Sequence, residues 1–164
     1  MSGIQLYVVR HARAEPRGPR WPDDRKRPLT EDGMASFEAL LRSARLRRLR
    51  LDLVLTSGLL RAAHTARLLR RALDAPPLLR TSRTLEPGRA PEAVLRTLRR
   101  CGVPRVAVVG HEPHLSAVLT VLTGRVPRRP MRKGAVCLVR MARLEAGQGR
   151  IAWTADPPRD RRPR

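Results

Sequence analysis

The sequence predicts a single-domain α/β fold, a three-layer sandwich with a mainly parallel central sheet and helices on both faces. Short apolar runs rich in Val and Leu alternate along the chain with segments whose apolar residues recur at helical spacing. The short runs are apolar throughout, which is typical of strands buried on both faces of a parallel sheet. The length of 164 residues fits one domain with one core.

Three buried strands are expected, and each is followed by polar or small residues that can form a site. The first run ends at Arg10 and His11, the second at Ser57, and the third at Gly110 and His111. The predicted strands cover residues 4–9, 51–56 and 105–109. The rest of the sheet is expected to comprise a short extended piece around residues 78–79 and an antiparallel pair at residues 135–141 and 150–154.

Helices are expected between the strands because recognisable start signals precede the helical patterns. Thr30 precedes an acidic first turn, Ser57 suits an N-cap, and Pro113 can occupy the first position of a helix. The predicted helices run from residue 30 to about 48, from 57 to 73, from 91 to 100 and from 113 onward.

Proline-rich segments divide the chain into a domain and a tail. Residues 14–28 contain four prolines and many charges, so we expect a long loop there. Residues 1–155 are assigned to the folded domain. Residues 156–164 are rich in Pro and Arg, and we expect them to form a disordered basic tail.

The charge of the chain is strongly positive, with a formal net value of +21 that comes almost entirely from arginine. Such a charge favours polyanions such as nucleic acid. The accompanying abundance of Ala, Pro and Gly is equally typical of a compositional bias, and aromatic residues, which stack on single-stranded bases, make up only 2% of the chain. We therefore do not expect nucleic acid as the partner, although a basic surface attracts anionic substrates.

The sequence indicates neither a disulfide framework nor a metal site. Cys101 and Cys137 lie far apart without a Cys-x-x-Cys pair. No apolar stretch approaches the ~18 residues of a membrane span, and the first residues show no leader pattern. We expect a cytoplasmic monomer without metal, cofactor or membrane contact.

The strand-to-helix turns bring together groups that suit phosphate. The carboxyl ends of parallel strands lie at one edge of a sheet, where ligands bind, so Arg10, His11, Ser57, Arg61 and His111 should share one rim. Arginine grips phosphate bidentately, helix N-termini add N–H donors, and an imidazole can attack phosphorus in line. The pattern predicts a site for phosphoryl transfer.

These segments resemble the motifs of the histidine phosphatase superfamily, also called phosphoglycerate mutase-like. Its strand-terminal R-H-G is similar to residues 10–12, its S-x-x-x-R-A-x-x-T-A to residues 57–66, and its G-H before a helix to residues 110–111. The resemblance implies a phosphoglycerate mutase-like fold and catalysis without metal. It implies the following roles: a nucleophile, His11, and binders of the transferring phosphoryl group, Arg10, Arg61 and His111.

Within that superfamily the chain is most similar to the short phosphohistidine phosphatases of the SixA type. Residues 27–33 resemble their R-P-L-T-x-x-G segment, which implies that Arg27 also contacts the phosphate, and Ser57 is expected to contact the substrate. Residues 111–115 resemble their H-x-P-x-L, and residues 133–135 resemble a K-G-A strand start. The implied substrate is a protein that carries phosphohistidine.

Two departures from the family pattern bear on the mechanism. Ala12 stands where the family has glycine, which narrows the backbone freedom beside His11. The insert that carries a separate acid in mutase-type members is absent or shortened, which leaves Glu86 as the best-placed proton donor and Glu92 as a weaker candidate. A phosphoimidazole substrate needs little acid help, because its P–N bond is labile.

The proposed nucleophile must be neutral, with one ring nitrogen free. The charges of Arg10 and Arg61 should disfavour the imidazolium form of His11. We expect a backbone carbonyl or a hydroxyl to hold the other ring nitrogen, although the sequence does not identify it.

Two alternatives stay open at this stage. A small-molecule phosphatase of the same superfamily would act on a sugar phosphate or a nucleotide. A non-catalytic module would bind phosphate without turnover and would use Arg128, Arg129 and the C-terminal arginines to hold nucleic acid. The sequence lacks the residues of two other classes of phosphate-handling protein. No second aspartate follows Asp52 at the spacing of haloacid-dehalogenase phosphatases, and no P-loop motif occurs.

Overall fold

The computed structural model describes residues 3–158, which form one six-stranded sheet covered by two pairs of helices. No helix within these residues is long and apolar enough to cross a membrane. The strands are β1 (Ile4–Arg10), β2 (Leu53–Thr56), β3 (Leu78–Thr81), β4 (Arg105–Gly110), β5 (Val136–Met141) and β6 (Arg150–Ala155). The helices are α1 (Glu31–Leu41), α2 (Leu60–Arg71), α3 (Pro91–Cys101) and α4 (His114–Thr123), with short 3-10 helices at Asp24–Lys26 and Arg83–Leu85.

The sheet order is β3-β2-β4-β1-β5-β6. The first four strands in this order are parallel, and β5 and β6 add antiparallel pairing at one edge. The predicted mainly parallel sheet and its antiparallel hairpin are therefore confirmed. Because β2, β4 and β1 are direct neighbours, the turns at their carboxyl ends lie side by side, as the phosphate site requires.

The core consists of two clusters, one on each face of the sheet. Alternate residues of β1 supply both, because successive side chains of a strand point to opposite faces. Leu6 and Val8 pack with α3 and α4, whereas Tyr7 and Val9 pack with α1 and α2. Both clusters are dominated by aliphatic side chains, and Phe37 is a fully buried aromatic. The three-layer arrangement holds β1 rigidly between the two helix layers.

Several element boundaries differ from those that the sequence predicts. α1 ends at Leu41 instead of about residue 48, because residues 43–49 form successive turns that bury Leu46 in the core. Ser57 is not the N-cap of α2, which begins after Leu59, since the Ser57 hydroxyl bonds to a histidine instead. Pro113 is the N-cap of α4, not its first residue.

The predicted tail begins later than residue 156. Pro157 is buried, the Pro158 carbonyl accepts a hydrogen bond from the Ser36 hydroxyl at 3.1 Å, and Asp156 lies 3.7 Å from Arg132. Residues 156–158 therefore pack against the domain. Residues 159–164 lie outside the described residues, so the disordered basic tail stays a prediction for them.

Gly33 brings α1 against the segment that follows the first strand. Thr30 caps the helix by accepting a hydrogen bond from the Gly33 N–H at 3.0 Å, and the Thr30 N–H donates to the Arg13 carbonyl at 3.0 Å. A Cβ at position 33 would lie 2.3 Å from that carbonyl oxygen, and a backbone atom yields only if the helix shifts.

Gly33→Ala is therefore expected to destabilise the protein by about 1–3 kcal/mol, as overpacking does elsewhere. Urea unfolding followed by circular dichroism measures this change. Gly18→Ala is the matched control, because a Cβ at position 18 would meet nothing within 4 Å. Unfolding midpoints that are equal in the two variants would contradict the prediction.

Candidate active site

His11 follows β1 directly, and its side chain is 7% exposed. Its Nδ1 lies 2.7 Å from the backbone carbonyl of Ala12. A carbonyl oxygen only accepts hydrogen bonds, so Nδ1 carries the proton and Nε2 keeps its lone pair. The backbone carbonyl that the sequence leads us to expect at one ring nitrogen is therefore that of Ala12, which holds Nδ1. The other nitrogen, Nε2, is free and can act as a nucleophile.

The neutral state of His11 is strongly favoured. Burial, and then the charges of Arg61, Arg10 and Lys133, lower its pKa from 6.5 to about 3, against the opposing effect of the hydrogen bond to Ala12. The arginine charges, from which the sequence predicts a neutral ring, are the smaller cause, and burial is the larger one. The ring is therefore neutral at neutral pH, with a proton on Nδ1 and a nucleophilic lone pair on Nε2.

His111 lies beside His11, with ring centroids 5.0 Å apart, and is 3% exposed. Its Nε2 is 2.6 Å from the hydroxyl of Ser57, which itself accepts a weak hydrogen bond from the Leu59 N–H at 3.4 Å. Among the described residues the Ser57 hydroxyl has no acceptor other than Nε2, so we infer that it donates to Nε2 and that the histidine carries its own proton on Nδ1. Ser57 thus fixes the tautomer that makes Nδ1 of His111 a donor.

Three buried donors near His11 have no hydrogen-bond partner. They are Nε of Arg10, Nε of Arg61 and Nδ1 of His111, and they account for half of the unpartnered buried side-chain atoms found in residues 3–158. Orphaned buried donors are costly, so such a group needs an explanation. A ligand with several acceptor oxygens explains all three.

The other ends of the two guanidinium groups are held by backbone carbonyls and a carboxylate. NH1 of Arg10 donates to the Met131 carbonyl at 2.6 Å. NH1 and NH2 of Arg61 donate to the carbonyl and the Oδ2 of Asp24, at 2.8 and 3.0 Å. Each arginine is thereby fixed at its end while its Nε stays free.

Arg27 joins the same network through Asp24. Its Nε donates to Oδ1 of Asp24 at 3.0 Å, and its NH1 donates to the Glu15 carbonyl at 2.6 Å. Arg27 is 8% exposed. Asp24 therefore connects Arg27 with Arg61, a link that no sequence pattern distinguished, because Asp23 and Asp24 look alike in a charged loop.

Glu86 is held by a different partner. Its two carboxylate oxygens lie 3.1 and 3.5 Å from the guanidinium nitrogens of Arg25. The hydrogen bond and charge of Arg25 lower the pKa of Glu86, despite some opposing burial. A carboxylate that is kept ionised is a poor proton donor, so its predicted role requires Arg25 to leave first.

Thr65 supports the backbone next to the nucleophile. Its fully buried hydroxyl accepts from the Ala12 N–H at 3.0 Å and donates to the Arg61 carbonyl at 2.8 Å. This residue ties the β1 end to α2, and so fixes His11 relative to Arg61. Its place in the 57–66 motif is the signal that could have identified it.

Cys137 does not form an alternative nucleophilic centre. Arg143 follows Cys137 at the Cys-x5-Arg spacing of cysteine phosphatases, but Cys137 lies within β5, is 1% exposed, and has a thiol pKa that burial raises. A reactive thiolate needs a lowered pKa and access. The described residues contain no cluster of three or more His, Cys, Asp or Glu that could hold a metal ion.

Known proteins share sequence features and the fold with this chain. Residues 6–85 match the family model of the histidine phosphatase superfamily (branch 1), whereas no curated protein sequence matches the chain. A structure of the protein histidine phosphatase SixA complexed with tungstate is 25% identical, covers 94% of this chain and 97% of that one, and superposes with a TM-score of 0.81. 

Two further structures share the fold. A phosphohistidine phosphatase of the SixA type from Agrobacterium tumefaciens is 24% identical, with 94% of this chain and 99% of that chain covered and a TM-score of 0.79. A mycobacterial glucosyl-3-phosphoglycerate phosphatase is 16% identical, with coverages of 92% and 97% and a TM-score of 0.68. Residues 6–85 are thus similar to the histidine phosphatase superfamily, and the chain as a whole has the phosphoglycerate mutase-like fold.

Proposed function

We propose that this protein is a phosphatase that passes the phosphoryl group of its substrate through Nε2 of His11 to water. The observation that carries the proposal is the free Nε2 of His11 next to three buried donors without partners, on Arg10, Arg61 and His111. The three non-bridging oxygens of a dianionic phosphoryl group would satisfy these donors. In the SixA relative the bound tungstate is an oxyanion of the same shape.

The reaction would proceed in two displacements. Nε2 of His11 attacks phosphorus, the bond to the leaving group breaks, and the leaving group takes the electron pair from that bond and a proton from solvent. Water then attacks the phosphorus of phospho-His11, inorganic phosphate leaves, and His11 returns to its neutral form. The donors on Arg10, Arg61 and His111 stabilise the charge that builds on the equatorial oxygens in both steps.

Phosphohistidine on a protein is the substrate class that the site favours. Glu86 is paired with Arg25 and ionised, so the site offers no free acid there for an alkoxide leaving group. An imidazole leaving group accepts a proton readily and needs less help. The superposition on a protein histidine phosphatase supports the same choice.

Trapping the covalent intermediate tests the mechanism. We expect acid-free quenching and mass spectrometry to find a phosphoryl group on the peptide that contains His11 after the enzyme meets a phosphohistidine protein. A label on another residue, or turnover without any label in a rapid-quench series, would contradict the mechanism.

A substrate panel tests the choice of substrate separately. It compares kcat/KM for a phosphohistidine protein, a sugar phosphate and a nucleotide. A higher kcat/KM for either small ester would overturn the substrate proposal and leave the phospho-His11 mechanism standing. Phosphate binding without turnover on any of the three would favour the non-catalytic alternative.

A further inference from the structure

Asp24 makes four contacts with two predicted phosphate ligands. Its Oδ1 accepts from Nε of Arg27 and lies 3.0 Å from NH2 of the same residue. Its Oδ2 accepts from NH2 of Arg61, and its backbone carbonyl accepts from NH1 of Arg61. One residue therefore holds both guanidinium groups through three separate oxygens.

The contacts of Asp24 leave one edge of Arg61 free. The carboxylate and the carbonyl of Asp24 take the NH1–NH2 end of this guanidinium, whereas its Nε is buried and has no partner. The Nε–NH2 edge of an arginine can bind two oxygens of a phosphoryl group in parallel. Asp24 thus binds the NH1–NH2 end of Arg61, which leaves Nε and the second hydrogen of NH2 for the phosphoryl group.

The surroundings explain why a carboxylate is required here. The side chains of Arg61 and Arg27 are 4% and 10% exposed, and that of Asp24 is 38% exposed, so Asp24 closes the pair from the solvent side. Two buried guanidinium groups close together repel each other without an anion between them. The hydrogen bond from Arg27 and the charge of Arg61 keep the pKa of Asp24 low, although burial opposes this, and so the carboxylate stays ionised.

The local backbone also prepares Asp24 for this task. Asp23 caps the 3-10 helix Asp24–Lys26 by accepting from the Arg25 N–H at 2.9 Å. This turn fixes the Asp24 carbonyl for Arg61 and places Arg27 three residues further on, within reach of Oδ1. The position of the Asp24 carbonyl is thus set by the backbone of the turn.

We propose that Asp24 is a positioning residue of the phosphate site, which orients Arg61 and Arg27 so that the Nε of Arg61 is presented to the phosphoryl group. The inference rests on the proposed function, since it names how that site is held in order. The opposite role, a blocking anion that competes with phosphate, predicts a faster enzyme when the carboxylate is removed. The two roles therefore differ in the sign of the effect on kcat.

Asp24→Asn is the first test, because it keeps the shape and removes the charge and one acceptor. We expect kcat for an aryl phosphate or a phosphohistidine protein to fall about tenfold or more, since small misplacements of a binding group are costly. Asp74→Asn, at an exposed position after α2, is the matched control and is expected to stay within twofold of wild type. An unchanged or raised kcat in Asp24→Asn overturns the proposal.

A double-variant cycle separates positioning from a general structural defect. In the Arg61→Ala/Arg27→Ala background, Asp24→Asn should cost less than twofold more in the single-turnover rate of phospho-His11 formation, because both groups on which it acts are gone. A further full tenfold loss in that background overturns the proposal. Single-turnover rates keep both slow variants measurable.

A phosphate-binding measurement, which needs no turnover, tests the role of Asp24 separately from the proposed phosphatase function. The ¹⁵N resonance of the Arg61 Nε–H, assigned by its loss in Arg61→Lys, should shift when inorganic phosphate is added to wild type, and should shift less in Asp24→Asn. Equal shifts in both proteins overturn the role of Asp24. A wild-type enzyme that shows this shift but forms no phospho-His11 would refute the proposed function and leave the inference about Asp24 intact.

Discussion

Replacing His11 with Ala is expected to reduce kcat by at least about a thousandfold, because the variant lacks the atom that accepts the phosphoryl group. His111 cannot take over this role. Its Nε2 is bonded to the Ser57 hydroxyl at 2.6 Å, which leaves the proton on Nδ1 and no lone pair directed at the phosphate. The loss should appear equally with a phosphohistidine protein and with a generic phosphoester, since the nucleophile is common to both.

The measurement is steady-state hydrolysis together with quench-flow detection of the labelled protein. His64→Ala is the matched control, because His64 lies in α2 outside the group of donors and should keep activity within a fewfold of wild type. Circular dichroism would show whether the His11→Ala protein keeps its fold. Turnover by a folded His11→Ala protein at a rate near that of wild type would rule out the mechanism.

The position of His11, the proposed nucleophile, could be predicted because it depends on strands, whose apolar runs are clear in the sequence. The apolar runs of β1, β2 and β4 are buried on both faces, and their carboxyl ends must meet wherever the strands are parallel neighbours. His11, Ser57 and His111 follow those ends directly. Neighbouring turns then bring these side chains together, so the prediction requires no information about how the loops fold.

The partners of these residues could not be predicted in the same way. Asp24 and Arg25 lie in a loop where charged residues abound, and nothing local distinguishes the carboxylate that pairs with Arg61 from its neighbour Asp23. Glu86 was predicted as a donor from its position alone, and its pairing with Arg25 depends on how that loop folds over the β2–α2 turn. Loop contacts of high sequence separation carry no periodic signal.

Ser57 shows how a correct residue can receive an incorrect structural role. Its type and place suit an N-cap, yet α2 starts later and the hydroxyl bonds to a ring that lies 54 residues away in sequence. A buried imidazole nitrogen without a partner is costly, so the histidine competes successfully with the helix end for the hydroxyl. Buried functional groups override local propensity where both need the same atom.

Acidification from pH 7 to pH 5 is expected to lower the free energy of unfolding by about 4 kcal/mol through His11 and His111 alone. Burial, as the largest cause, lowers the pKa of each from 6.5 to about 3. At pH values between these two, both histidines are protonated in the unfolded chain and neutral in the folded protein. Stability therefore falls as the pH falls below about 6.5, by about 2 kcal/mol for each histidine at pH 5.

Urea unfolding in phosphate-free buffers at several pH values from 7 to 5 measures this dependence. The double variant His11→Gln/His111→Gln removes both titrating groups, and its amides can still bond to the Ala12 carbonyl and to Ser57. Because carboxylates and the other histidines are common to both proteins, the difference between the two pH profiles isolates the pair. A double variant that loses as much stability as wild type over this interval would show that the folded protein binds protons on these rings as readily as the unfolded chain, which would contradict the lowered pKa of both histidines.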